Sequence, residues 1–323
     1  MMSDPQYSLE KLHHLFGPST LFKSRLVSWT MLSIFRKRWN QKSGGTFSEE
    51  SLRSDARFDL HCHSTCSDGT CTPLELLELA KERELSGIAI TDHDTLDAYT
   101  EELFAQAQEL EVKLYVGVEF STRHQGYPVH LLGYGLQKTP EILAFCQEHQ
   151  ERRLQRNRAI LEKLSRLSMV IDEKELGDPS DRTIGRPHIA ERLMAKGYVQ
   201  SIREAFDRFL GEGKPCFEAG CSFGVEETIT KIHAAGGKAF IAHPYLVKKS
   251  GILKELLEMP FDGIECYYSL FHNGQEKKWL KIAEEKGWLI SGGSDFHGSV
   301  KPHVQLGCSW VPEEDVLKIF GER

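Results

Sequence analysis

The sequence predicts a seven-stranded parallel α/β barrel with an inserted helical subdomain and an N-terminal extension, on three observations. Seven short, apolar, strand-like segments alternate with helical patterns between residues 57 and 300. Six of the seven strand ends or adjoining loops carry His, Asp or Glu, and parallel barrels set their active groups at the carboxyl ends of their strands. Between about 139 and 221 the alternation gives way to helical patterning alone, which reads as an insertion. An open doubly wound sheet is the alternative. It ranks lower because such sheets gather ligands at one switch point, not at nearly every strand.

The first strand ends in His61-x-His63 and runs into a small-residue loop that carries Asp68. Side chains alternate along a strand, so His61 and His63 share a face and can bind one ion together. A Ser/Gly turn then brings Asp68 back, aimed at a second ion beside the first. Thr72-Pro73 opens a helix whose apolar face holds Leu74, Leu77, Leu79 and Leu85. The apolar run 87–90 is a covered parallel strand and ends in Thr91-Asp92-His93-Asp94. Helix 97–110 leads to strand 114–120, which Glu119 closes, and strand 128–134 carries His130.

Within the insertion, 148–167 reads as a helix with Arg152, Arg153, Arg156, Arg158 and Arg166 on it and Leu154, Ile160, Leu161 and Leu164 buried. A second helix starts at Gly185-Arg186-Pro187-His188, a third spans 201–210, and 211–215 turns back. Alternation resumes with helix 225–235 and the strand that ends in Ala242-His243-Pro244. Strand 261–268 and strand 288–293 follow, each after a helix, and the latter opens into Ser294-Asp295-Phe296-His297. The expected organisation is an extension over 1–56, a barrel over 57–138 and 222–323, and a helical lid over 139–221.

Composition narrows the function. The 323 residues are 40% hydrophobic, enough for a large core, and the net charge is -7. That charge excludes a globally basic surface, so stable duplex DNA binding is not expected. Eight cysteines without framework spacing suit reduced thiols and a cytoplasmic setting. The apolar run 21–35 is interrupted by Lys23 and Arg25 and is followed by Arg36-Lys37-Arg38, which fits neither a membrane span nor a cleaved signal. An amphipathic helix docked on protein is favoured there over a membrane-surface contact through 21–38.

Collected together, the strand-end groups are His61, His63, Asp68, His93, Glu119, His130, His243, Asp295 and His297. Nine donors exceed one ion's needs and serve two or three. The motifs His61-x-His63, Asp68-Gly69, Thr91-Asp92-His93-Asp94, Glu119, His130, Ala242-His243-Pro244 and Ser294-Asp295-x-His297 resemble the polymerase-and-histidinol-phosphatase (PHP) family. The resemblance implies a distorted seven-stranded (β/α) barrel and three divalent ions, manganese first and iron or zinc as alternatives. It assigns His61, His63, Glu119 and Asp295 to the first ion and Glu119, His130 and His243 to the second. Asp68, His93 and His297 go to the third. Hydroxide held at the metals by Glu119, His61, His63 and Asp295 would attack the phosphoryl group. Three divalent ions against three carboxylates leave roughly +3, a natural seat for an anionic substrate.

The run Gly185-Arg186-Pro187-His188-Ile189-Ala190 resembles the branch that acts on nucleoside 3′,5′-bisphosphates and on short 5′-phosphorylated RNA. Arg186 at a helix start suits a second phosphate, with Arg156 and His188 as further candidates. Phe217, Phe223, Tyr267 and Tyr268 are candidates for stacking a base. The rival readings are a histidinol-phosphate-type monoesterase and, from another class, a non-catalytic PHP binding module.

Overall fold

The computed structural model describes residues 56–220, 223–271 and 274–321. The docked-helix expectation for 21–38 lies outside the described residues. Strand β1 (Arg57–Cys62) is followed by α1 (Pro73–Glu82), β2 (Gly87–Ile90), α2 (Glu101–Glu109), β3 (Lys113–His124) and β4 (Tyr127–Tyr134). The helical segment holds α3 (Pro140–Arg166), α4 (Arg186–Ala195) and α5 (Ile202–Ala205), which continues as a π-helical turn over Phe206–Leu210. Then come β5 (Phe223–Gly224), α6 (Val225–Ala234), β6 (Lys238–Ile241), α7 (Ser250–Leu256) and β7 (Gly263–Tyr268). The chain ends with α8 (Glu276–Lys286), β8 (Leu289–Gly293), β9 (Val311–Pro312) and α9 (Glu313–Phe320).

The sheet order is β8-β7-β6-β4-β3-β2-β1-β9, with β5 on β3. Beyond the end of β8 the chain meets β1: Asp295 N–H donates to His61 O at 2.7 Å and His63 N–H to Phe296 O at 2.9 Å. This seam nearly closes a distorted seven-stranded barrel. Gly293 makes it possible, because a Cβ there would come within 2.5 Å of His61 Cβ. Buried Asp59 ties the seam, accepting from the backbone N–H groups of His61, Ser294 and Gly307 at 3.1, 2.9 and 2.8 Å. Burial pushes its carboxyl up to about 6 against these three donors.

The barrel is not wholly parallel. β4 runs antiparallel to both β3 and β6. The cause is the two-residue turn Gln125-Gly126, with φ of 48° and 82°, across which His124 pairs with Tyr127. Such a turn joins only antiparallel strands. Because β4 is reversed, its early residue His130 pairs with Ser121 and faces the same barrel mouth as the late residues of its neighbours.

Helix α3 starts earlier than the sequence pattern suggests, at Pro140 behind the Thr139 cap, because Ile142, Phe145, Cys146 and His149 bury a face among polar neighbours. Its first half packs into the barrel's core with Phe223 and Ile229, while Ile160 and Leu164 join a separate core with Ile189, Leu193 and Leu210. One helix thus spans both cores. At the closed end of the barrel, Tyr115, Leu132, Tyr134 and Phe240 form an apolar plug against Val316 and Ile319 of α9. Along β3 the inward face changes from Tyr115 to Glu119, so the plug gives way to the polar mouth.

Candidate active site

At that mouth one carboxylate lies among five imidazoles. Glu119, buried near the end of the parallel-paired part of β3, puts Oε1 2.7 Å from His130 Nδ1 and 2.8 Å from His243 Nε2. Its Oε2 lies 3.1 Å from His63 Nε2 and 3.4 Å from both His61 Nε2 and His93 Nδ1. Asp295 Oδ1 stands 3.4 to 3.5 Å from nitrogens of His61, His63 and His297. Asp68 reaches His297 at 3.4 Å, His63 at 3.6 Å and His93 at 3.8 Å. His243, Asp295 and Asp94 all have positive φ at strand ends, 27°, 54° and 56°. Backbone strain of this kind concentrates where a site over-determines the chain.

Donor atoms converge in three groups: His61, His63, Glu119 and Asp295; His63, Asp68, His93 and His297; and His93, Glu119 and His130. The expected division differs in two places. His63 stands in two groups, and His93 takes the place expected for His243, which instead meets Glu119 Oε1 from the side. The donors fit divalent ions. His63 Nε2 and His93 Nδ1 are buried without a hydrogen-bond partner, a costly state that a cation between them and Glu119 would relieve. Imidazole and carboxylate together suit manganese, iron or zinc.

Protonation follows the same crowding. Burial opposes charge on His63, but Asp295 and Glu119 outweigh it and push the imidazole up to about 9. Burial also opposes charge on Glu119, yet His93, His130 and His61 hold its carboxyl well below the usual range. His93, held neutral chiefly by burial, drops to about 3. An ion binding here exchanges with protons on its ligands.

Several supporting residues are given no role by the sequence pattern. Glu265 of β7, fully buried, sits 2.8 Å from His61 Nδ1 and accepts from His243 N–H at 2.5 Å. Strand 261–268 was the segment without a ligand at its end, and the signal was this one carboxylate in mid-strand between Ile264 and Cys266. Asp92 holds the Asp68 loop, accepting from Ser64 N–H at 2.8 Å and from the hydroxyls of Ser64 and Ser67 at 2.5 Å. Lys301 and Tyr268 donate to Asp295 Oδ2 at 2.7 and 2.6 Å, leaving Oδ1 toward the histidines. Asp94 accepts from Arg153 Nε at 2.6 Å and from Ser121 N–H at 2.7 Å.

A cavity of about 540 Å3 is lined by Asp68, His93, His130 and His297 together with Arg123, Arg153, Arg156 and Arg186. Among the described residues, Arg123, Arg156 and Arg186 have no carboxylate within ion-pair distance, and Arg156 Nε is buried without a partner. Arg186 lies between the rings of Phe206 and Phe217, 5.7 and 5.6 Å from their centroids. His188 does not line this cavity. Its Nδ1 accepts from Gly185 N–H at 2.9 Å, so the imidazole caps α4. Of the aromatic candidates, Phe217 lines the cavity. Phe223 is instead buried against Phe145 and His149, and the Tyr268 hydroxyl is taken by Asp295.

The PHP domain pattern matches residues 59–212. A 5′-3′ exoribonuclease of Haemophilus influenzae is 33% identical over 264 residues, 79% of this chain and 92% of the relative. A 3′,5′-nucleoside bisphosphate phosphatase of Chromobacterium violaceum is 31% identical over 250 residues, 75% of this chain and 87% of the relative. A solved structure from Bifidobacterium adolescentis, assigned as a metal-dependent phosphoesterase, superposes with a TM-score of 0.72 at 28% identity, covering 83% of this chain and 96% of its own. With histidine and carboxylate donors sharing a cavity with four arginines, these matches define a hydrolase of phosphoric esters, of the metal-dependent phosphoesterase class. The chain belongs to the PHP domain family.

Proposed function

We propose that this phosphoesterase removes the 5′-phosphate of nucleoside 3′,5′-bisphosphates and degrades short 5′-phosphorylated RNA from its 5′ end. The observation that carries the proposal is the arginine lining: guanidinium groups without carboxylate partners share one cavity with the metal-donor histidines. A simple phosphomonoester needs only the donors, whereas a second phosphate gives Arg123, Arg156 and Arg186 their counter-charge. The two relatives act on the same two substrate classes by name.

His61, His63, Glu119 and Asp295 would hold one divalent ion, Asp68, His93 and His297 another, and His130 with Glu119 a third flanked by His93 and His243, manganese being the first choice. Such ions acidify water and neutralise phosphoryl oxygens. The chain's own residues orient the site. Glu265 holds His61 by Nδ1, Lys301 and Tyr268 turn Asp295, and Asp94 aims Arg153 into the cavity. Phe206 and Phe217 flank Arg186 and offer faces to a base. A reducing, cytoplasmic setting fits the seven described cysteines, all free. Among the described residues no helix is long and apolar enough to cross a membrane.

The test compares phosphate release from 3′-phosphoadenosine 5′-phosphate, 5′-AMP and histidinol phosphate. The bisphosphate should be preferred, and Arg186→Ala should cost about 30-fold in its kcat/KM, the worth of a charge-assisted pair at roughly 2 kcal/mol. Equal rates on the three esters, or an unaffected Arg186→Ala, would overturn the assignment.

A further inference from the structure

The active-site cavity has a neighbour of about 460 Å3, and Pro128 lines both. We infer that this second cavity is the subsite for the remainder of an RNA strand whose 5′ nucleotide occupies the first. The inference rests on the oligoribonucleotide part of the proposed function. Its walls are anchored to the donor cluster: Tyr127 and Pro128 open β4 just ahead of His130, Leu246 ends the turn just after His243, and Lys248 and Lys249 follow it. Fixing those two histidines therefore fixes the subsite relative to the reacting phosphate.

The lining has the chemistry of a single-strand track. Tyr127 is 37% exposed and offers a ring on which a base can stack. Lys249 Nζ lies 4.3 Å from that ring's centroid and donates to the Tyr127 hydroxyl at 2.8 Å, so stacking surface and charge are held together. Lys248 Nζ stands 5.5 Å from the Tyr245 ring. Among the described residues neither lysine has a carboxylate within ion-pair distance. In a chain of net charge -7, two ammonium groups without carboxylate partners in a cavity that shares Pro128 with the arginine-lined one add positive charge next to it. Phosphate charge dominates affinity for such a strand. Glu212, from the helical segment, lines the same cavity and opposes that charge.

The test uses the full-length, metal-loaded enzyme with p-nitrophenyl phosphate turnover as reporter and 5′-phosphorylated hexauridylate as competitor. In the double variant Lys248→Glu/Lys249→Glu the hexamer's inhibition constant should rise at least tenfold. Reporter turnover and inhibition by a 3′,5′-bisphosphate should stay unchanged. The slope of log inhibition constant against log salt should become shallower by about 1.4, two phosphates at roughly 0.7 each for a single strand. Glu212→Ala should tighten hexamer binding. An unchanged inhibition constant in the double variant would overturn the subsite, as would equal weakening of the bisphosphate or a wild-type enzyme that binds hexamer no tighter than UMP. A wild-type enzyme that binds hexamer through these lysines but hydrolyses neither it nor the bisphosphate would sink the proposed function and leave the subsite standing.

Discussion

Replacing Asp94 by Asn separates substrate positioning from metal binding. Asp94 is fully buried and belongs to none of the three donor groups. Its carboxylate accepts from Arg153 Nε at 2.6 Å and from Ser121 N–H at 2.7 Å, and it lies 3.2 Å from His149 Nδ1. Asn preserves the volume and tolerates the φ of 56° found here. It can still accept from Ser121, but the charge that compensates Arg153 is gone. Removing one partner of a buried pair costs roughly 3 to 5 kcal/mol. The Arg153 side chain is 11% exposed, so the lower end, about 3 kcal/mol, applies. Urea unfolding of Asp94→Asn should register that loss, and the KM for the bisphosphate should rise at least tenfold as Arg153 swings free. Metal content should match the wild type. A double-mutant cycle with Arg153→Gln should give a coupling of about 2 kcal/mol. Wild-type stability in Asp94→Asn, or metal lost in step with activity, would refute the reasoning.

Asp68→Ala should lower metal content by one ion and abolish most activity, while the ion at His61, His63, Glu119 and Asp295 stays; elemental analysis that finds no metal at all would show that His63 couples the two groups more tightly than this. Glu265→Gln leaves every donor in place but weakens the hold on His61 Nδ1, so metal affinity should fall 10- to 100-fold in a chelator competition; unchanged affinity would remove Glu265 from the site's support. For His188, burial holds the imidazole neutral, pushing it from 6.5 down to about 4. The unfolded chain takes up the proton below pH 6.5 and the folded chain does not, so the His188 contribution weakens as pH falls and levels off below about 4. His188→Gln keeps an acceptor for Gly185 N–H, so it should match wild type at pH 7 and exceed it by about 2 kcal/mol at pH 5. Parallel urea midpoints at both pH values would count against this account.

The sequence by itself determined the alternating architecture and marked the candidate donors. Both rest on local pattern: apolar runs of strand length, and polar residues at their ends. His61, His63, His93, His243, Asp295 and His297 are legible because each follows or ends such a run. Three things were decided only by tertiary structure. The reversal of β4 depends on the turn at Gln125-Gly126, whose left-handed backbone has no apolar period to betray it. The grouping of donors depends on how far apart strand ends come to rest, which is why His63 serves two groups and His93 displaces His243 from its expected set. The supporting residues Glu265, Asp92 and Asp94 act across sequence separations that no local period records: Glu265 reaches His61 from another strand of the barrel, and Arg153 meets Asp94 only because α3 spans both cores. Local periodicity fixes which way a side chain faces along its own element. What that side chain meets there is fixed by long-range packing.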